Sequence, residues 1–550
     1  MLFLFIAAAL IPFVEGSPML NRKKRRGARG AVAVAATCVV AAFVMCAGRL
    51  ATPVAAVDKA RERAVRALRE GEFDEAERLF RELLAKNGQD KDARLGLSFT
   101  LYKKRVLVDA YDHAARVLAV DPLSSRAHAL LGAVVLASGD FRLSVEEFRT
   151  ALSLKDNEAL AIAGLAMVDF YENRASASLV GLRRAIFIDP NEPDYVFSLA
   201  QASARTEHYK EAAEAYERFL AIAPRTDADR RARIRGLIDF LRYLGQQSTL
   251  YVNNGASRTE LPFEVTDNRP ALLVYVNDEK EPFRFVLDTG SGMSVISQET
   301  AQRLGLRPVA RGGMARAIGG GGRFDIVYGF LQSIAIGDVR LANVPVYIRR
   351  FYNDKLKVDG YIGLSVISKY LTTVDYGARK LTLARQRPPA TTAQPPGIEL
   401  PMRTTSGGFL SGEVQIDSIE KPLNFIIDTG ATVSVVSEKL AEREDLARFA
   451  RNVRLHIYGS AGVAENVKLL ELPRVSFGSY TREKLSAAVL DMEPINETAG
   501  FEQTGIIGGN FLRHFRLIFD FQKGIVRLEP ATNDPAAPAP TRLDIGASQP

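Results

Sequence analysis

Two carboxylates sit in matching settings. Asp288 lies in Phe285–Ser297, FVLDTGSGMSVIS, and Asp428 lies in Phe425–Ser437, FIIDTGATVSVVS. Each stretch runs Phe, two apolar residues, Asp-Thr-Gly, three free positions, then Ser, Val, an apolar residue and Ser. The second copy repeats the first at a numbering offset of 140. An apolar run that stops at a carboxylate, a hydroxyl and a glycine, and then resumes, places the carboxylate on a tight loop between two buried strands. Two carboxylates brought together can activate a water and donate a proton, because like charges a few ångströms apart resist joint ionisation. One stays deprotonated as general base, the other holds a proton as the acid, and the pair titrates as a unit. One carboxylate alone cannot do this, so the two loops must meet.

Other chemistries find no residues. The two cysteines, Cys38 and Cys46, both fall in an apolar leader, which leaves the rest of the chain without a disulfide, a thiolate nucleophile or a Cys metal site. The five histidines (His113, His128, His208, His456, His514) form no H-E-x-x-H, and there is no G-x-S-x-G. Neither a metal nor a cofactor is expected. The net charge of +8 is concentrated in Arg22–Arg29, RKKRRGAR, so it gives no argument for a nucleic-acid partner. Apolar content of 47% and charge of 25% are ordinary globular values, and 550 residues are enough for several domains.

The carboxylate motif belongs to a larger duplication. Glu260-Leu261-Pro262 is echoed by Glu399-Leu400-Pro401, and Pro282 by Pro422. Ile318–Gly322 matches Tyr458–Gly462 at the same offset of 140. Tyr361-Ile362-Gly363 and Asp375 match Ile506-Ile507-Gly508 and Asp520 at an offset of 145. Strand-forming alternation dominates throughout. The expected layout is therefore two tandem all-β lobes, 255–386 and 398–530, joined by a Pro-rich linker, 387–397, and followed by a disordered tail, 531–550. Asp375 and Asp520 read as turn residues, and Ser294 and Ser434 as local hydrogen-bonding groups at strand starts.

With these motifs in place, each lobe resembles a retropepsin-type aspartic protease lobe, and the pair resembles a pepsin-like enzyme made from one chain as a pseudo-dimer. The resemblance implies that Asp288 and Asp428 are catalytic and that Thr289 and Thr429 hold the two loops together through their hydroxyls. Gly290 and Gly430 let backbone approach the carboxylates without a Cβ. Ile362-Gly363 and Ile507-Gly508 would pack beneath the loops. The hairpins carrying Gly319, Gly320 and Gly322, and Gly459 and Gly462, are candidate flaps, with Tyr458 and Tyr328 as candidate flap tyrosines. The lobes differ at Ser291 and Ala431. A Ser there can donate to an ionised carboxylate and an Ala cannot. Asp288 is thus expected to ionise more easily, and the working pH to be less acidic than where both lobes carry a hydroxyl.

Before the lobes, residues 57–245 read as helix. Phe73, Leu107, Phe141 and Tyr209 fall on a grid of period 34, with Ala175 in the remaining slot. Phe80, Ala114, Phe148, Leu182 and Tyr216 fall on a second such grid, and Pro122, Pro190 and Pro224 on a third. This period resembles the tetratricopeptide repeat family, over Val57–Pro224, with Asp227–Leu244 as a capping helix. Such units stack into an all-α superhelix whose groove docks a protein or peptide partner.

At the start of the chain, the basic cluster is followed by the apolar run Ala31–Ala47 and the small residues Val54-Ala55-Ala56. That order makes residues 1–56 a signal peptide or a membrane anchor, with Met19 as an alternative start. Everything after it is expected to be exported to the periplasm or another extracytoplasmic space, anchored by residues 31–47 if the run is retained. Gln246–Thr259 is a candidate pro-segment. The expected function is an exported aspartic endopeptidase acting on protein or peptide substrates. The alternatives are a non-catalytic peptide-binding scaffold and an enzyme that pairs its lobes between chains.

Overall fold

The computed structural model describes residues 57–532, apart from 248, 321, 353–356 and 386–396. The leader, with both cysteines, Met19 and the run 31–47, lies outside the described residues, as do 387–396 of the linker and the tail from 533. No helix among the described residues is long and apolar enough to cross a membrane.

The helical half keeps its period in three dimensions. After a helix over 57–70, one series of helices begins at Phe73, Leu107, Phe141, Ala175 and Tyr209, and the alternate series at Lys91, Ser125, Ala159 and Pro193. Asp90, Ser124, Asp140 and Asp227 cap helices by accepting the N–H of the residue three positions on. The turns between helices need a left-handed residue at Gly71, Arg105, Gly139, Asn173 and Glu207, where φ is 77°, 60°, 91°, 62° and 63°. These positions share the period of the helix starts, although only two are glycine, so the repeat is kept in backbone geometry where residue type has drifted. Buried Phe80 and Phe148 fill the spaces between successive helices.

Each β-lobe threads one short strand between the two that flank its aspartate. Gly360–Ile362 runs parallel to Phe283–Leu287, with Gly360 opposite Phe285 and Ile362 opposite Leu287, and antiparallel to Val295–Ser297. Gly505–Ile507 does the same between Leu423–Ile427 and Ser434–Ser437. Phe285, Val286 and Leu287, like Phe425, Ile426 and Ile427, are all buried, as a strand covered on both faces requires.

A third sheet, of six strands, joins the lobes. At its centre Leu371–Asp375 pairs with Phe515–Asp520, from Thr372 opposite Phe519 to Asp375 opposite Arg516. Asp375 and Asp520 accept the N–H of Ala378 and Lys523 and so close the two following turns. One apolar core runs through both lobes and holds Phe285, Val374, Phe425 and Phe515.

Two expectations change. Gln246–Thr259 does not lie across the dyad as a pro-segment would. Val252–Asn253 pairs with Val339–Arg349, and Arg258–Pro262 extends the six-stranded sheet beside Lys380–Ala384, so backbone pairing builds the segment into both sheets. The last long helix, Ala228–Gln246, is not a free end cap either. Phe240 stacks on Tyr328 of the first lobe with centroids 4.2 Å apart, and Tyr243 meets Phe330 at 5.5 Å. A cap needs a polar outer face, and here that face is aromatic and covered.

The helices reach the second lobe as well. Phe501 inserts between Phe141 and Tyr171, at 4.9 and 5.1 Å. Arg205 lies 3.5 Å over the Phe170 ring and donates to the carbonyls of Phe170 (3.0 Å) and Thr405 (2.7 Å). Burial pulls this guanidinium down to about 9. The helical arc thus spans both lobes and closes one side of the space between them.

Candidate active site

The aspartate loops are set by the strands beneath them. Asp288 donates its N–H to Ile362 O and Asp428 donates its N–H to Ile507 O, each at 3.0 Å. The next residue on each side is tied as well, because Ser294 Oγ accepts the Gly363 N–H and Ser434 Oγ accepts the Gly508 N–H, both at 3.1 Å. Ser294 and Ser434 therefore reach across each lobe rather than acting locally at a strand start. Both are fully buried, and a hydroxyl in an apolar stretch was their only signal in the sequence.

The two loops grip one another. Thr289 Oγ1 donates to Ile427 O (2.7 Å) and accepts the Thr429 N–H (3.0 Å). Thr429 Oγ1 donates to Leu287 O (2.8 Å) and accepts the Thr289 N–H (3.2 Å). Neither threonine is accessible to solvent. Gly290 faces the opposite carboxylate so closely that a Cβ there would collide with the Asp428 carboxyl. A Cβ on Gly430 would lie 2.6 Å from Asp288 Cγ and Oδ1. Both glycines are required by this crossed approach, and the dyad is complete within one chain.

The two carboxylates are held differently. Asp288 accepts the Gly290 N–H on Oδ1 (2.9 Å) and the Ser291 hydroxyl on Oδ2 (2.6 Å). Asp428 accepts the N–H groups of Gly430 (2.7 Å) and Ala431 (3.0 Å), both on Oδ1. Burial raises the Asp288 carboxyl above its ordinary value, against the pull of the Ser291 hydroxyl and of Asp428, which donates to it. Burial, and then the charge of Asp288, push Asp428 well above the usual carboxylate range. The larger rise falls on Asp428, the side that lacks the hydroxyl, and the two carboxyls titrate as a unit.

Above the dyad, Ala310–Arg316 with Arg323–Ile336 and Ala450–Gly459 with Gly462–Phe477 form two hairpins. Their tips meet backbone to backbone. A Cβ on Gly319 would lie 2.7 Å from Gly459 Cα, one on Gly320 2.7 Å from Val463 N, and one on Gly322 2.7 Å from Ala461 O. Gly319, Gly320 and Gly462 have φ of 85°, 80° and 136°, which suits a glycine at such a crossing. Ile318, at the first tip, joins the apolar cluster of the second lobe that holds Val435, Leu490 and Ile506. Tyr458 stands half-exposed beside the second tip, whereas Tyr328 is at the foot of its hairpin, buried against Phe240, and cannot act as a flap tyrosine.

A cavity of about 1930 Å³ runs from the dyad, below the hairpin tips, to the concave face of the helical repeats. Its lining includes Asp288, Asp428 and Tyr458 on one side and Tyr195, Phe197 and Arg230 on the other. Sequence reasoning did not foresee that groove and cleft form one space. Nor did it single out Arg269 and Arg349, which line the first-lobe wall; lone arginines in strand ends carry no motif. Among the described residues no group of three or more His, Cys, Asp or Glu is arranged to hold a metal ion.

Residues 272–366 and 412–511 match the aspartyl protease family, one aspartate in each segment, and residues 67–134 match a tetratricopeptide repeat family. No curated protein matches the chain. Solved structures similar to it include a thermophilic tetratricopeptide repeat protein of Thermus thermophilus, with 20% identity over 33% of this chain and 98% of that one and a TM-score of 0.29. MamA from Desulfovibrio magneticus RS-1 is 21% identical over 30% of this chain and 94% of that one, with a TM-score of 0.22. A chain of the Cut9–Hcn1 hetero-tetramer is 14% identical over 35% of this chain and 37% of that one, with a TM-score of 0.30.

Proposed function

We propose that this chain, which carries an aspartyl protease domain in two segments and a tetratricopeptide repeat region, is an aspartic endopeptidase. The observation that carries the reading is the crossed contact of the two loops, which brings the two carboxylates together, and both carboxyls are raised there. Asp288 takes a proton from a water as that water attacks the peptide carbonyl carbon, and Asp428 gives its proton to the carbonyl oxygen. Transfer of a proton to the amide nitrogen then releases the amine. The hairpin tips cover an extended substrate, and the repeat groove, continuous with the cleft, holds the part that runs past the dyad.

The test is cleavage of a mixed peptide library by the full chain. Asp288→Asn and Asp428→Asn should each lower the rate by about a thousandfold or more, since each removes one of two obligatory roles. A wild-type chain that cuts nothing in a pepstatin-sensitive way would leave a peptide-binding scaffold as the reading.

Export to the periplasm or another extracytoplasmic space is part of the same proposal. It is supported by the basic, apolar, small order of residues 22–56, with 31–47 either removed with the leader or kept as an anchor. Mass spectrometry of the mature amino terminus tests it, and a peptide containing Leu2–Glu15 rules out a start at Met19.

A further inference from the structure

Strand register makes the walls of the two lobes comparable position by position. Arg349 stands opposite Ser297 in the first lobe, and Leu490 stands opposite Ser437 in the second. Tyr361 pairs with Val286, as Ile506 pairs with Ile426. Ala271 faces Val286 as Ser411 faces Ile426, so the residues two positions earlier, Arg269 and Phe409, are also equivalent. All six line the cavity that holds the dyad. The first-lobe wall is therefore Arg269, Arg349 and Tyr361, and the second-lobe wall is Phe409, Leu490 and Ile506.

The first wall has cationic capacity to spare. Among the described residues Arg349 has no ion-pair partner; its guanidinium lies 3.6 Å over the Phe324 ring. Burial pulls it down to about 10, and the charge of Asp288 across the cavity offsets only a small part of that. Arg349 is half-buried, whereas Arg269 is buried. Its nearest carboxylate, the exposed Asp267, is 3.9 Å away, and its Nε has no acceptor. Two guanidinium groups on the first-lobe wall of the cavity favour a carboxylate there, because a charge-assisted bond is strongest where water is excluded. Phe409, Leu490 and Ile506 offer no such group and suit a large apolar side chain.

We infer that the cleft takes an extended peptide with an acidic side chain seated between Arg269 and Arg349 of the first lobe and a large apolar side chain against Phe409, Leu490 and Ile506 of the second, on opposite sides of the scissile bond. This rests on the peptidase reading and adds the substrate class to it. Arg349 is the specificity residue that can be changed without entering the dyad, and its second-lobe equivalent names the replacement.

The full chain is given a mixed-sequence peptide library and the cut ends are read by mass spectrometry. It is then given a matched pair of peptides that differ only by Glu or Gln at the acidic position, with Leu or Phe across the bond. The expected result is enrichment of Asp and Glu on one side and of large apolar residues on the other, with kcat/KM about ten- to a hundredfold higher for the Glu peptide. Arg349→Leu, which copies Leu490, should bring that ratio close to one, while Arg349→Lys keeps part of it. A wild-type ratio near one, which needs no variant to measure, overturns the inference and leaves the peptidase reading intact. So does an unchanged ratio in Arg349→Leu. If no peptide is cut, the peptidase reading falls, and binding of the same fluorescent peptides decides the rest. Tighter binding of the Glu peptide that is lost in Arg349→Leu supports the acidic site, and equal or absent binding overturns it.

Discussion

In the first lobe the aspartate accepts one backbone N–H and one hydroxyl; in the second it accepts two backbone N–H groups. Beneath both, the same strands cross in the same register, the same Ser-to-Gly bond ties the loop, and each threonine bonds the other lobe's backbone. Around both, the walls diverge, with Arg269 and Arg349 in the first lobe where the second has the apolar Phe409 and Leu490. What is alike is whatever brings the two loops into contact, where a shift of a few tenths of an ångström would break several buried bonds at once. What differs faces the cavity, where a side chain can change without disturbing that contact.

The likeness should fail first at the crossed glycines. Gly290→Ala and Gly430→Ala each drive a methyl into the opposite carboxylate, and peptide cleavage should fall by about a hundredfold or more in both, since a misplacement of about 1 Å has that effect. A variant from either lobe that keeps wild-type kcat/KM would break the equivalence. Next come Thr289→Val and Thr429→Val. Each strands a buried N–H and a buried carbonyl, so each should cost about 3 kcal/mol in urea unfolding. The double variant should fall short of the sum, because the bonds are shared.

Smaller effects should separate the lobes. Both carboxyls are raised in the folded chain above their unfolded values. The folded state then binds protons more tightly, and stability declines as pH climbs from about 4 through the raised folded values. Asp428→Asn removes the larger part of that decline. Its Tm should match wild type below about pH 4 and exceed it increasingly above. The smallest test is the pH–rate profile. The active form holds one proton, so raised carboxyls put the working range well above about pH 2. Ser291→Ala should move the acidic limb upward, and Ala431→Ser should move the basic limb downward, each by about one unit. Equal shifts of both limbs in both variants would erase the assignment of the proton to Asp428.

The sequence carried the local part of this plainly. The repeat period survives in the helix starts at Phe73, Leu107, Phe141, Ala175 and Tyr209 because each repeat packs only on its neighbours. The two DTG stretches were legible because a carboxylate between buried strands forces an apolar run on each side. The long-range part was not. That Ala228–Gln246 stacks on Tyr328, or that Ser294 bonds the distant Gly363, depends on tertiary contact without any periodic trace. The equivalence of Arg349 and Leu490 is visible only once strand register is known, since the insertion between the hairpin and the last strands shifts the offset away from 140.

The six-stranded sheet has a consequence of another kind. Leu371–Asp375 and Phe515–Asp520 join inside one polypeptide, so the dyad assembles as a first-order event. Diluting the protein should leave its activity per molecule unchanged, where an enzyme built from two separate copies would lose its partner by mass action. Two identical copies must also present two identical walls, so an arginine at one end of the cleft would appear at the other. Covalent joining lifts that constraint: one molecule can read the two sides of a bond by different rules.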